Sequence, residues 1–277
     1  RTIGLFRWLF TLPALIGWVA LAGFAAFIAV ARWEDLAAPV LTAFEGGNLL
    51  MLWGTLIGLK VIHEFGHAYA CKAYGGHVPE MGAFLVLFTP LAYVDATDSW
   101  SFTKTRRRVV VTLAGVYVES IIGAVALIVW ALTEPSALNT LAYQIVLLAT
   151  VTTALFNLNP LLRYDAYYLV ADLSGVPNLR ARCQQAVASL LKRILYGLRN
   201  DAQGYPLDHH PGLVAFGSAQ LAYRVVIIVT IATVLIMKFG GAGLVMAVVL
   251  ISMMLGRAVV SLFRYILTSE ELNSRRF

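Results

Sequence analysis

The sequence predicts an all-α polytopic membrane protein of about six transmembrane helices, with one small β-hairpin insert, and three observations carry that prediction. Hydrophobic residues make up 60% of the 277 positions and charged residues only 13%, about half the charged share of a soluble domain. Mean hydropathy is +0.77. The apolar residues gather in six runs, each near the roughly 20 residues that cross a bilayer's hydrocarbon core.

The first run, Trp8 to Ala31, is too long for a cleaved signal peptide, so it reads as a retained helix. The second, Leu49 to Tyr74, carries His63, Glu64, His67 and Lys60. An insert from Gly75 to Thr97 then reads as two short strands, Val78 to Met81 and Phe84 to Val94, with Gly75-Gly76 and Thr89-Pro90 as punctuation. It would form a partly embedded hairpin, either a plug against the helices or an exposed edge able to take an extended polypeptide by strand addition. The third run, Val109 to Leu132, contains Gly115, which permits close helix packing, and Glu119; Lys60 would pair with Glu64 or Glu119, a structural buried pair. The fourth, Leu138 to Leu162, is broken by Pro160, which has no N–H to donate and clashes with the preceding turn. Residues Asn178 to Leu198 place apolar side chains at helical spacing among basic ones, as in a helix lying on a membrane surface or docking a partner. The fifth and sixth runs are Leu213 to Met237 and Leu244 to Leu267. Four segments result: 1–48 with the first helix, 49–173 as a core, 174–212 as the surface segment, and 213–277 as a closing helix pair.

Orientation follows from Lys and Arg. Arg1 and Arg7 precede the first run, Lys104 and Arg106 to Arg108 precede the third, Arg180, Arg182, Lys192, Arg193 and Arg199 follow the fourth, and Arg275 and Arg276 close the sequence. All fall on one side, and the positive-inside bias makes that side the cytoplasm, with both termini there, in a bacterial cytoplasmic membrane. The net charge of +6 thereby reads as topology, and nucleic acid is not an expected partner. Cys71 and Cys183 lie far apart and imply no disulfide framework.

The chemistry centres on His63-Glu64-Phe65-Gly66-His67. Residues four apart share a helix face, so both imidazoles can converge on one metal while Glu64 lies alongside. In this H-E-x-x-H arrangement the histidines ligate zinc and the glutamate takes a proton from water whose pKa the ion has lowered to about 7. Cys71 lies about 12 Å from His63 along the helix, too far to share the ion. A third ligand should be acidic or histidine at the same membrane depth. Asp165 meets this, at the end of Phe156-Asn157-Leu158-Asn159-Pro160-Leu161-Leu162-Arg163-Tyr164-Asp165, because the second and fourth runs descend in the same direction. Glu119 is the alternative third ligand, while Asp95 and Asp98 read as polar loop residues. A di-iron centre is disfavoured, since two irons need more histidines than this pair.

Together, His63-Glu64-x-x-His67 and Asn157-x-x-Pro160-x-x-x-x-Asp165, with Tyr167 and Tyr168 following, resemble the two motifs of the site-2-type intramembrane metalloproteases, in the branch described as peptide zinc metalloproteases. The resemblance covers roughly Leu49 to Leu173. It implies a three-helix catalytic core and one zinc per chain held by His63, His67 and Asp165. It further implies Glu64 as general base and Asn157 as a group positioning substrate or oxyanion, with a membrane-embedded or membrane-delivered polypeptide as substrate. The family carries glycine after the aspartate, where this chain has Ala166. That departure keeps open a second reading, an inactive metal-binding homologue serving as scaffold or accessory subunit of a larger membrane complex.

Overall fold

A computed structural model describes residues 3–40, 43, 48–86, 89–197 and 210–268. Among these residues five helices are long and apolar enough to cross a membrane. The chain divides at Gly175 into two compact units; segments 1–48 and 49–173 fall in the first.

The first unit opens with α1 (Ile3–Phe6) and a 3-10 turn, Arg7–Phe10, before α2 (Leu12–Ala31). Trp8 therefore belongs to that turn, and the spanning helix starts later than the apolar run. Pro13 explains the start, since its fixed φ suits the first helical turn and its missing N–H would be unpaired there anyway. A short α3 (Trp33–Ala37) follows, then α4 (Leu49–Ala73). Next come the hairpin, α5 (Thr105–Leu132) and α6 (Ala137–Thr152), whose last turn widens into a π turn, Thr153–Asn157. The fourth apolar run thus leaves helical geometry five residues before its expected end at Leu162, three residues ahead of Pro160. After the break α7 (Asp165–Ser174) closes the unit.

Small side chains let these helices approach closely, as membrane packing without a water-driven force requires. Ala25 of α2 packs with Ala124, Ala126 and Leu127 of α5 and Val146 of α6. At the other end Ala70 and Cys71 of α4 meet Val111 and Ala114 of α5. A Cβ at Gly66 would stand 2.7 Å from the Ala114 carbonyl oxygen, so glycine is what brings the two backbones together. The Cys71 thiol is fully buried and donates to the His77 carbonyl at 3.6 Å, a packing role. Large apolar side chains such as Phe27, Val30 and Leu132 face outward, where lipid would cover them.

The insert is a hairpin, but its strand bounds differ from expectation. β1 (Met81–Val86) pairs antiparallel with β2 (Thr89–Val94), Met81 opposite Val94 and Leu85 opposite Pro90. The reversal falls between 86 and 89, inside the run read as one strand. Thr89-Pro90 opens β2 instead of ending a strand, because proline is tolerated at the start of a strand in a two-stranded ribbon where its missing donor breaks no central ladder. β2 packs on α4, with the Trp53 indole donating to the Thr89 hydroxyl at 3.1 Å. Residues 81–85 are exposed, Leu85 by 68%. Beyond β2 the Asp95 carboxyl is held below its usual value by hydrogen bonds from the Thr97 hydroxyl and N–H.

In the second unit α8 (Leu179–Tyr196) lays Leu179, Cys183 and Ala186 against α9 (Pro211–Thr268). Gly217 of α9 admits α8, since a Cβ there would stand 2.8 Å from the Cys183 carbonyl oxygen. Burial pushes the Cys183 thiol pKa up. The last two apolar runs lie on α9, which is bent at Gly240 (φ 56, ψ −126). Beyond the bend Gly243 lies against the Leu235 backbone, eight residues back, so the axis turns sharply there. Leu198, Arg199, His209, Arg1, Arg275 and Arg276 lie outside the described residues.

Candidate metal centre

Helix periodicity places His63 and His67 on one face of α4, and the π turn with the Pro160 break carries the chain round to Asp165. Asn159 shapes that turn by accepting from the Leu161 N–H at 3.0 Å. Tyr164 is extended (φ −114, ψ −165) and caps α7, so Asp165 occupies its first turn, where a carboxylate is favoured by the helix dipole. Ala166 follows as an ordinary buried helical residue, and the backbone there has no positive φ that would require glycine. Arg108 of α5 holds α7 in place, donating to Asp172 at 3.0 Å and to the Phe102 carbonyl at 3.1 Å.

The three predicted ligands meet. His63 Nε2 lies 3.2 Å from Asp165 Oδ2, His67 Nε2 lies 3.4 Å from Asp165 Oδ1, and the two Nε2 atoms are 3.2 Å apart. The group His63, His67 and Asp165 can hold a metal ion, with one ligand atom from each within 4.8 Å of the others.

The far side of each imidazole fixes what the near side offers. His63 Nδ1 lies 2.7 Å from Glu119 Oε2, and His67 Nδ1 lies 2.8 Å from the Val111 carbonyl oxygen. A carbonyl oxygen and an ion-paired carboxylate only accept, so each Nδ1 carries a proton and each ring turns its Nε2 inward. The two Nε2 atoms and the Asp165 carboxylate then converge at 3.2–3.4 Å. With both Nε2 atoms unprotonated, as metal binding requires, such a set favours a cation between its members.

Glu119 is the hub of this arrangement. Fully buried, it accepts from Lys60 Nζ at 3.2 and 3.3 Å, the Thr152 hydroxyl at 2.6 Å and the Asn157 amide at 3.3 Å, besides its His63 contact. Of the two partners the sequence offers Lys60, Glu64 and Glu119, the structure pairs it with Glu119. The carboxylate lies against the outer nitrogen of His63, so it stands outside the group that can hold a metal ion. Thr152 and Asn157 both reach it because of the π turn; an α-helix sets residues five apart about 140° round the axis. Asn157 is 5% exposed and stands behind His63. Glu64, half-buried beside His63, has no hydrogen-bond partner among the described residues.

Gly115 contributes by what it lacks. A Cβ there would lie 2.5 Å from His67 Nε2, closer still to His63 Nε2 and 2.6 Å from His63 Cε1. The glycine leaves open the space on which the ligand atoms converge. Sequence reasoning assigned it to helix packing alone and did not find the Val111 carbonyl, Thr152 or Arg108, none of which has a local signal. Asp98 accepts from the His77 N–H at 2.6 Å, and neither it nor Asp95 joins the metal group. The chain matches no family model, no curated protein and no solved structure.

Proposed function

We propose that this chain is an intramembrane zinc metalloprotease of the site-2 type, cleaving a membrane-embedded or membrane-delivered polypeptide near the cytoplasmic face. The observation that carries the proposal is the convergence of His63 Nε2, His67 Nε2 and an Asp165 oxygen, with both Nδ1 protons directed to outside acceptors and Glu64 beside them. Two ligands about 2.0–2.1 Å from a tetrahedral zinc stand roughly 3.3–3.4 Å apart, close to the separations here. Two imidazoles and one carboxylate leave a fourth position open, as catalytic zinc sites do. When bound, zinc polarises the scissile carbonyl and lowers the pKa of water to about 7.

The chain's own residues supply the rest. Glu64, free of a partner among the described residues, takes the proton of the attacking water and returns it to the leaving amine. Glu119 keeps His63 in the tautomer that presents Nε2, and Lys60, Thr152 and Asn157 hold Glu119. The exposed edge of β1 would hold an unwound substrate segment as a third strand. Ala166, the departure that left room for an inactive scaffold, is accommodated in α7 without strain, which supports the active reading. For the membrane topology, the Gly240 bend supports reading α9 as two crossings, six in all, and the clustering of Lys and Arg supports cytoplasmic termini.

The test is metal content and cleavage of a transmembrane peptide by purified wild type and Glu64→Gln. We expect about one zinc per chain in both and a loss of cleavage of about 10²–10⁴-fold in the variant. Wild-type cleavage by Glu64→Gln, or a wild-type chain without metal, would sink the proposal.

A further inference from the structure

A second site lies away from the metal, where the N-terminal turn, the end of α4 and the start of α5 meet. A cleft of about 580 Å³ there is lined by Arg7, Thr11, Tyr74 and Arg107. Neither guanidinium has a carboxylate partner among the described residues, and Arg107 is positioned over the Tyr74 ring at 5.7 Å. Two cations facing one polar cleft repel each other and favour an anion between them. Arg-to-phosphate pairing satisfies the planar guanidinium fork better than a monodentate ion does.

Thr11 also lines a neighbouring groove of about 530 Å³ between α2 and α5, whose walls include Gly17, Trp18, Leu21, Tyr117 and Ile121. The cleft is polar and the groove almost wholly apolar. From Thr11 to Leu21 the groove follows ten residues of α2, roughly 15 Å at 1.5 Å per residue. That is half of the roughly 30 Å hydrocarbon core, the depth of one leaflet. Tyr117 braces the groove, donating to the Leu9 carbonyl at 3.0 Å while its ring meets Trp18 edge-on at 5.5 Å.

We infer that this junction is a binding site for one anionic phospholipid, its phosphate between Arg7 and Arg107 and an acyl chain in the α2–α5 groove. Charge selects the headgroup and groove length selects a lipid over a free phosphate. The face that carries Arg7, Lys104, Arg106 and Arg107 is the one where anionic lipid would concentrate. The lipid would also cover part of α2, whose residues are otherwise mostly exposed.

Native mass spectrometry of the whole chain in detergent tests this, with phosphatidylglycerol and phosphatidylcholine of identical acyl chains as probes, and glycerol phosphate as a competitor. Wild type should retain one phosphatidylglycerol and little phosphatidylcholine, and glycerol phosphate should not displace it. Arg7→Gln/Arg107→Gln should weaken retention about thirtyfold, whereas Lys104→Gln/Arg106→Gln, which removes equal charge from the same face, should change it little. Gly17→Leu should weaken it as well, because a Cβ at Gly17 meets no atom within 4 Å and a larger side chain would fill the groove without a clash. Equal retention of both lipids, equal loss in the two double variants, or full retention by Gly17→Leu would each overturn the site. Displacement by glycerol phosphate at matching concentration would overturn the lipid and leave a phosphate site.

Discussion

Gly115→Ala adds one methyl group at the point where the ligand atoms meet. The new Cβ would stand 2.5 Å from His67 Nε2 and nearer His63 Nε2, roughly 0.9 Å or more inside ordinary van der Waals contact. Neither ring can swing clear without losing its outer contact, His63 to Glu119 at 2.7 Å or His67 to the Val111 carbonyl at 2.8 Å. A zinc ion is held about 2.0–2.1 Å from each nitrogen, so a ring pushed aside by that overlap carries its nitrogen out of bonding distance. Disturbing groups around a zinc ligand costs about 10–100-fold in affinity, and displacing both rings should cost at least the upper figure, about 2.7 kcal/mol. The helix itself should not suffer, since alanine is favoured over glycine in a helix interior by about 1 kcal/mol. The assay is zinc titration against a competing chelator, with helicity followed by circular dichroism. Gly58→Ala, where a Cβ on α4 meets nothing within 4 Å, is the control that should bind normally. A Gly115→Ala chain that stays helical and binds zinc as tightly as wild type would refute the placement of the ion among His63, His67 and Asp165.

Three further outcomes follow from the same geometry. His67→Ala and Asp165→Ala should each lose the roughly stoichiometric zinc, measured by elemental mass spectrometry; retention in Asp165→Ala would move the third ligand elsewhere. Glu119→Ala should leave Lys60 without its partner, lowering unfolding free energy by about 3–5 kcal/mol and zinc affinity by about 10–100-fold, read by thermal unfolding and metal titration. Unchanged affinity would show that Glu119 does not orient His63. Arg108→Ala should remove the tie between α5 and α7 and leave Asp172 unpaired, costing about 1–3 kcal/mol, with zinc affinity falling because α7 carries Asp165. Affinity equal to wild type would show that α7 is positioned without this contact.

The membrane class was legible in composition, because apolar runs of bilayer length need lipid to cover them. The His63/His67 pair was legible because four residues on any α-helix return to the same face whatever surrounds it, and Asp165 because Pro160 must break the helix that leads to it. Cys71, too far along its helix to share an ion with His63, is buried as a packing residue. The hairpin was recognised but its strand bounds were not, because only the pairing of Met81 with Val94 fixes where the chain reverses.

What the sequence determined by itself was therefore what depends on local geometry: the apolar spans, the shared helix face of two imidazoles, and the break that precedes the third ligand. Only the tertiary structure decided which groups face the outer nitrogens of those imidazoles and what makes room for both rings. Glu119 is 56 residues from His63, and the Val111 carbonyl 44 residues from His67. They meet because Gly66 lets α4 and α5 touch backbone to backbone, which also aims Gly115 at the bare nitrogens. Such contacts depend on how far apart and at what rotation two helices pack, and no spacing within either helix encodes that.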